Sequence, residues 1–336
     1  MAELIVAHER WALKETFTIA RGSKTHADVI KVTVRDGRYE GHGESVPYAR
    51  YGESIAEAQA QLLSLQSAVR RGLDRLTLQT LLPPGAARNA LDCALWDLDG
   101  QRHATPVWRL AGLPRPEPVV SAFTLSLDTP ERMGQAARRH AHRPLLKLKL
   151  VDEHDIERVA AVRRSAPQAQ LIVDANEGWN VALYLKLVPE LQRLGVSLIE
   201  QPLPAQDDDA LAALPRPIPL CADESCHDRR SLTGLATRYD MVNIKLDKTG
   251  GLTEALLLRQ AARAQGLKIM VGCMVSTSLS MAPATLVAQG AEIVDLDGPL
   301  LLADDRVGGL EWRGSQLYLS EEGLWGYPRP CLTGVV

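Results

Sequence analysis

LLKLK (145–149), LIVD (171–174), VSLIE (196–200), CAD (221–223), NIK (243–245) and IVDLD (293–297) decide the fold. Each is a short apolar stretch that ends on charge. They belong to eight runs: Val119–Leu127, Leu145–Leu150, Leu171–Asp174, Val196–Glu200, Ile218–Ala222, Met241–Lys245, Ile269–Gly272 and Ile293–Leu296. The centres lie roughly 25 residues apart, the length that one strand, loop, helix and loop require. Amphipathic stretches fill the intervals. Eight near-continuous apolar strands alternating with helices predict a closed parallel α/β barrel. No long amphipathic helix follows the last run.

The segment before the barrel has a different pattern. Val29–Val34 is β-branched, Asp36-Gly37 reads as a turn, and Tyr39–Glu44 reads as the returning strand. Ser54 opens a helical pattern through Val69, and Gly85–Leu98 forms a second. Gly112, Pro114, Pro116 and Pro118 then punctuate the chain. Residues 1–114 are expected to form an α+β domain and 115–305 the barrel. The tail, 306–336, reads as turns and short strands that fold back onto the first domain.

Bulk properties exclude several classes. Lys+Arg total 38 and Asp+Glu 41, for a formal net charge of -3, so no basic field suits nucleic acid. No apolar stretch is long enough to cross a membrane, and no export signal opens the chain. The cysteines Cys93, Cys221, Cys226, Cys273 and Cys331 fit no zinc or redox spacing and read as reduced thiols of a cytoplasmic protein. Asp207-Asp208-Asp209 reads as a solvated helix start.

Six of the eight runs finish on ionisable residues: Lys147 and Lys149, Asp174, Glu200, Asp223, Lys245, and Asp295 with Asp297. In a barrel all these ends share one face. A charge beside a buried strand costs several kcal/mol unless it is paired or metal-bound. Asp174, Glu200 and Asp223 lie on three consecutive strands and can converge. Their all-oxygen set favours Mg²⁺, with Mn²⁺ as a substitute. Lys147 and Lys149 share a face of their strand, and Lys245 lies on the far side of the acids. Proton removal next to a carboxylate builds an enediolate, which a metal stabilises. One lysine on each face would take and return the proton.

With these residues in place the chain resembles the enolase superfamily, in its muconate-lactonising-enzyme-like subgroup. Lys147-x-Lys149, the Asp174/Glu200/Asp223 triad and Lys245 carry the resemblance; use of a Lys base with Mg²⁺ is the known pattern of that superfamily. It implies a modified (β/α)7β barrel under a capping domain completed by the tail. Asp295-x-Asp297, Gly272-Cys273-Met274, Asp174–Glu177 and Asn243–Lys248 resemble the dipeptide epimerases. That implies epimerisation of L-Ala-D/L-Glu in murein-peptide metabolism. Lys149 and Lys245 would be the acid/base pair, and Lys147 would help neutralise the reacting carboxylate. Asp295 and Asp297 would bind the free ammonium, with Cys273 and Met274 beside it. An arginine of the mobile capping loop, Arg21, would bind the distal carboxylate, with Lys24 as second choice. A homo-oligomer with a small-molecule substrate is expected.

Other residues have plainer readings. Glu224 is either a partner of the site or a solvated carboxylate. Asn176 either contacts ligand or shapes its loop. Asp247 and Lys248 read as a loop ion pair, His42 as part of a capping strand, Gly250-Gly251 as a close-packed turn, Cys221 as core and His227 as loop.

Three rivals remain. An o-succinylbenzoate synthase, N-succinylamino acid racemase, muconate cycloisomerase or sister epimerase would keep the fold; Asp295 and Asp297 disfavour an anionic or N-acylated substrate. A Schiff-base aldolase would use a lysine but leave the acids idle. A dead barrel acting as a binding protein would have lost a ligand or base, and none is missing. Chelation by EDTA is expected to abolish turnover, and borohydride is expected to trap no adduct. Activity that survives EDTA, or a trapped lysine adduct, would favour the aldolase.

Overall fold

Asp36 pairs with Tyr39 across a two-residue turn, as the alternation of the flanking segments predicts. Gly37 takes φ 59° there, the left-handed conformation that such turns need. The computed structural model describes residues 1–329, so Cys331 and the end of the tail lie outside the described residues. Strands β1 (Glu3–Ile19), β2 (Gly22–Asp36) and β3 (Tyr39–Ser45) form an antiparallel sheet in that order. The sequence pattern hides β1. Glu9, Arg10, Lys14 and Glu15 read as interruptions, but an edge strand tolerates charges on its solvent side. Ser54 caps the helix Ile55–Ser64 by accepting the Glu57 N–H at 3.2 Å.

The helix Ala86–Arg102 is buried along most of its length and lies across β3. The contact works only with glycines. A Cβ on Gly41 would sit 2.1 Å from the Ala94 carbonyl oxygen, and one on Gly43 would sit 2.1 Å from that of Ala90.

After a short β4 (Val119–Val120) comes an eight-stranded parallel sheet. Its strands are β5 (Phe123–Leu125), β6 (Leu145–Lys149), β7 (Gln170–Asp174), β8 (Val196–Glu200), β9 (Leu220–Ala222), β10 (Met241–Ile244), β11 (Lys268–Gly272) and β12 (Ile293–Asp295). Neighbours in sequence are neighbours in space. The Ala122 N–H donates to the Val294 carbonyl at 2.8 Å and joins the last strand to the first. Among the described residues the only helix after β12 is the four-residue Gly298–Leu301. The helices after β8 and β9 are short as well. Pro202, Pro204, Pro215, Pro217 and Pro219 leave little room for a long helix after β8.

The barrel interior is two-toned. Ala122, Leu145, Ile172, Leu198, Cys221, Met241, Met270 and Ile293 form one apolar layer, with a residue from each strand or its edge. Two residues on, the same faces carry Lys147, Asp174, Glu200, Asp223, Asn243 and Asp295, all buried. The plug keeps water out from below, and the charges open only upward.

The tail touches both halves of the molecule. β13 (Glu311–Arg313) and β14 (Gln316–Tyr318) pair, and β14 adds to β4. Further on, Trp325 Nε1 donates to the Cys93 carbonyl at 3.0 Å, and Arg329 pairs with Asp97 at 2.8 Å. Among the described residues no helix is long and apolar enough to cross a membrane. The acidic run at 207–209 is not simply a solvated helix start. Asp208 is buried, because Tyr239 donates to it at 2.7 Å and Arg238 and Ser225 also reach it.

Gly43→Ala is expected to destabilise the fold by roughly 3 kcal/mol, since backbone rather than a flexible side chain must move. Gly134→Ala, whose Cβ would meet nothing closer than 3.4 Å, is expected to leave the melting temperature unchanged or raise it. Thermal unfolding checks both; an unshifted Gly43→Ala would contradict this packing.

Candidate active site

Three carboxylates meet above the apolar plug. One oxygen from each of Asp174, Glu200 and Asp223 lies within 4.8 Å of the others, and all three residues are buried. At such separations each pair repels by roughly 3 kcal/mol even with generous screening. Ammonium groups offset this. Lys149 Nζ is 2.6 Å from Asp174, and Lys245 Nζ is 2.7 Å from Asp223. Lys147 Nζ lies 2.6 Å from Glu200, 2.8 Å from Asp295 and 3.2 Å from Asp174. Lys248 Nζ is 2.7 Å from the other Asp223 oxygen.

The carboxylates differ in how well they are served. Burial would raise Asp223, but Lys245 and Lys248 hold it well below the usual range. Asp174 is likewise pulled down against its burial by Lys149 and Lys147. Glu200 goes the other way, raised by burial and by Asp174. Asn243 Nδ2 donates to its Oε1 at 2.7 Å, while its buried Oε2 receives no aligned hydrogen bond. Three buried carboxylates converging within 4.8 Å of one another form an all-oxygen set that suits a hard divalent cation.

The register sets the lysines apart. β6 and β10 stand four strands from each other in the eight-stranded ring, so Lys149 and Lys245 approach from opposite sides, with β7, β8 and β9 between. Burial disfavours the charge of Lys245, but Asp223 and Glu200 keep its ammonium form well above the ordinary range. Lys147, similarly buried, is held charged by Asp295, Glu200 and Asp174.

Asp295 and Asp297 close the ring beside β5. Asp297 accepts the Thr124 N–H at 2.6 Å, and its carboxyl is pushed up to about 7 by burial and by Asp295. Above the charges lies a cavity of about 920 Å³. Cys273 and Met274 line it from the barrel, and Phe17, Ile19, Lys24 and Tyr51 line it from the first 114 residues. Lys24 Nζ sits 5.1 Å over the Tyr48 ring. Arg21 lines the same cavity, with Nη2 2.7 Å from Glu224 and Nη1 2.8 Å from the Asn176 carbonyl.

Several residues matter more than their sequence context suggests. Glu224 is buried, not solvated, and is pushed up to about 7 by burial and by Asp223. Asp247 and Lys248 form no surface pair, because both are buried. Asp247 accepts the Val46 N–H and Asn89 Nδ2, each at 2.9 Å, tying the capping strand to the loop after Lys245. Lys248 also bonds the Asp223 and Asn243 carbonyls. Its place three residues after a strand-end lysine was the available signal. Gly250 and Gly251 are the close-packed turn that was expected, with Arg88 and Asp92 pressed against them. His42 lies in β3, Cys221 in the core, and His227 packs edge-on against Tyr51.

A closed parallel barrel with converging acids at its mouth, flanking lysines and an antiparallel cap defines a barrel enzyme of the enolase kind. Residues 131–309 match the Enolase C-terminal domain-like family. Residues 1–112 match the Mandelate racemase / muconate lactonizing enzyme N-terminal domain. The chain belongs to this family.

The L-Ala-D/L-Glu epimerase of Escherichia coli (strain K12) is 48% identical over 322 residues, 95% of this chain and 100% of that protein. An N-acetyl-D-glutamate racemase of a Pseudoalteromonas species is 46% identical over 89% of this chain and 95% of its own length. An enolase family member from Agrobacterium tumefaciens with homology to dipeptide epimerases, with bound sodium and L-Ala-L-Glu, superposes with a TM-score of 0.95 at 50% identity. That match covers 97% of this chain and 100% of the other. The dipeptide epimerase of Enterococcus faecalis V583, complexed with Mg and L-Leu-L-Tyr, gives 0.88 at 29% identity, covering 96% and 98%.

Glu200→Gln keeps an acceptor for Asn243 but removes a charge. It is expected to weaken Mg²⁺ binding by more than about tenfold in calorimetry. Unchanged affinity would place the cation elsewhere.

Proposed function

We propose that the chain epimerises dipeptides ending in glutamate, L-Ala-D/L-Glu first among them, by two-base transfer of the glutamate α-proton. The observation that carries this is the opposition of Lys149 and Lys245 across the acid arc. Asp174, Glu200 and Asp223 would hold Mg²⁺, with Mn²⁺ as a substitute. When bound, the ion supplies positive charge beside the substrate's α-carboxylate, where negative charge builds as the proton leaves. Lys147 adds a fixed ammonium at the same carboxylate. On one face a neutral lysine amine accepts the α-proton. On the other, a lysine ammonium donates one, and the configuration inverts. The apolar layer below and the cap above exclude water, which strengthens each of these interactions.

Substrate ends are distinguished by charge. Asp295 and Asp297 take the terminal ammonium. Lys24 takes the side-chain carboxylate, since no carboxylate of the described residues forms an ion pair with it. Residues 1–114 with the tail 306–336 act as the cap over a barrel of 115–305. The similarity to the E. coli epimerase supports a cytoplasmic role in murein-peptide recycling, and we expect a homo-oligomer.

One observation favours a second reading. Ala-Glu is itself an N-acylated glutamate, and N-acetylglutamate differs from it at the acyl end by lacking the ammonium and the alanine methyl group. In this structure Lys147 already neutralises Asp295, and Thr124 already serves Asp297. Racemisation of N-acetylglutamate is therefore the nearest competing activity.

Proton NMR in D₂O with Mg²⁺ separates the two. With L-Ala-L-Glu, the glutamate α-proton signal is expected to fade and the L,D diastereomer to appear. N-acetyl-L-glutamate is expected to exchange more slowly. No exchange from the dipeptide would sink the main reading, and faster exchange from the N-acetyl compound would establish the second.

A further inference from the structure

The tip of the β1–β2 hairpin is fastened to the barrel rim at several points. The register shifts between Ala12 and Phe17, and beyond this irregularity the tip carries Arg21 and Lys24. Thr18 accepts the Leu127 N–H at 3.0 Å and donates its own to Ser126 at 2.7 Å. Arg21 makes the farther attachment. Nη1 donates to the Asn176 carbonyl at 2.8 Å and to Glu177 at 3.3 Å. Nη2 donates to Glu224 at 2.7 Å and to the Tyr48 hydroxyl at 3.2 Å.

These acceptors are built, not incidental. Glu224 is 3% exposed and follows Asp223. Glu177 is braced by Arg50 through two bonds of 2.7 Å and by the Ala205 N–H at 2.9 Å. Asn176 and Glu177 stand at φ 45° and 67°, a strained turn that persists only where surroundings enforce it. Both terminal nitrogens of the guanidinium are committed, which leaves no fork for a ligand carboxylate. Swinging Arg21 toward a substrate would strand Glu224, a buried carboxylate, without its cation.

We propose that Arg21 is a positioning residue: its guanidinium is the catch that fastens the hairpin tip to the loops after β7 and β9, and so places Lys24 over the cavity. The role rests on the dipeptide reading for its substrate but not for its geometry. Closing the tip links substrate enclosure to the loops that follow Asp174 and Asp223. Arg21 then acts on every substrate alike, whereas Lys24 acts on those with a distal charge.

The test uses the full-length, Mg²⁺-loaded protein as wild type, Arg21→Met, Arg21→Lys and Lys24→Met. α-Proton exchange is measured with L-Ala-L-Glu and with its neutral isostere L-Ala-L-Gln, alongside amide hydrogen exchange of residues 18–26. Arg21→Met is expected to lower kcat/KM by roughly 10²-fold on both dipeptides and to speed exchange of the tip amides. Arg21→Lys, which can still reach Glu224, is expected to restore part of each. Lys24→Met is expected to lose far more activity on L-Ala-L-Glu than on L-Ala-L-Gln. A loss confined to L-Ala-L-Glu in Arg21→Met, or tip amides that exchange as in wild type, would overturn the catch. If wild type turns over neither dipeptide, the dipeptide reading fails, and tip exchange still decides the role of Arg21.

Discussion

Three carboxylates of like charge are held together in a space that water cannot reach from below. Asp174, Glu200 and Asp223 would not remain ionised there without Lys147, Lys149, Lys245 and Lys248 around them. That charge balance is the constraint from which the rest follows. It explains why the barrel interior is apolar in one layer and mostly charged in the next. It explains why Lys248 is buried to 2% exposure although no substrate need touch it.

The cap is tied to the barrel by the same kind of interaction. Glu44 at the end of β3 is buried, accepts the Thr277 N–H at 2.8 Å and pairs with Arg306 of the tail at 2.5 Å. Burial raises the Glu44 carboxyl despite Arg306. Arg88 donates to the Thr249 carbonyl at 2.7 Å, and Asp92 accepts the Thr253 N–H at 2.9 Å. With the Asp247–Val46 bond, these contacts join the helix Ala86–Arg102 and β3 to the loop that follows Lys245. Lys245, directly after β10, therefore sits on a segment shared by both parts of the molecule.

Much of this was legible in the sequence, for a physical reason. Most strands of this barrel are apolar at one inward position and charged two residues later. Leu145/Lys147, Ile172/Asp174 and Leu198/Glu200 show that step directly, so strands and site emerge from one pattern. What stayed hidden depends on partners distant in sequence. β1 carries charges because its outer side faces solvent. Lys248 and Asp247 sit in a polar run that reads as loop, and only the helix above and Asp223 beside them bury it. Arg21 matches a substrate-binding position in sequence, and its contacts with Glu224 and the Asn176 carbonyl, distant in the chain, appear only in the fold. Long cationic side chains reach too many candidates for spacing alone to choose among them.

The central claim is that Lys149 and Lys245 serve opposite faces of one carbon. Single replacements by Gln, assayed in D₂O with each diastereomer of Ala-Glu separately, test it most directly. Each variant should still wash the α-proton out of one diastereomer, and the two variants should choose opposite ones, with interconversion lost in both. If both variants exchange the same diastereomer, or either still interconverts the pair, the two amines do not flank the reacting carbon and the account fails.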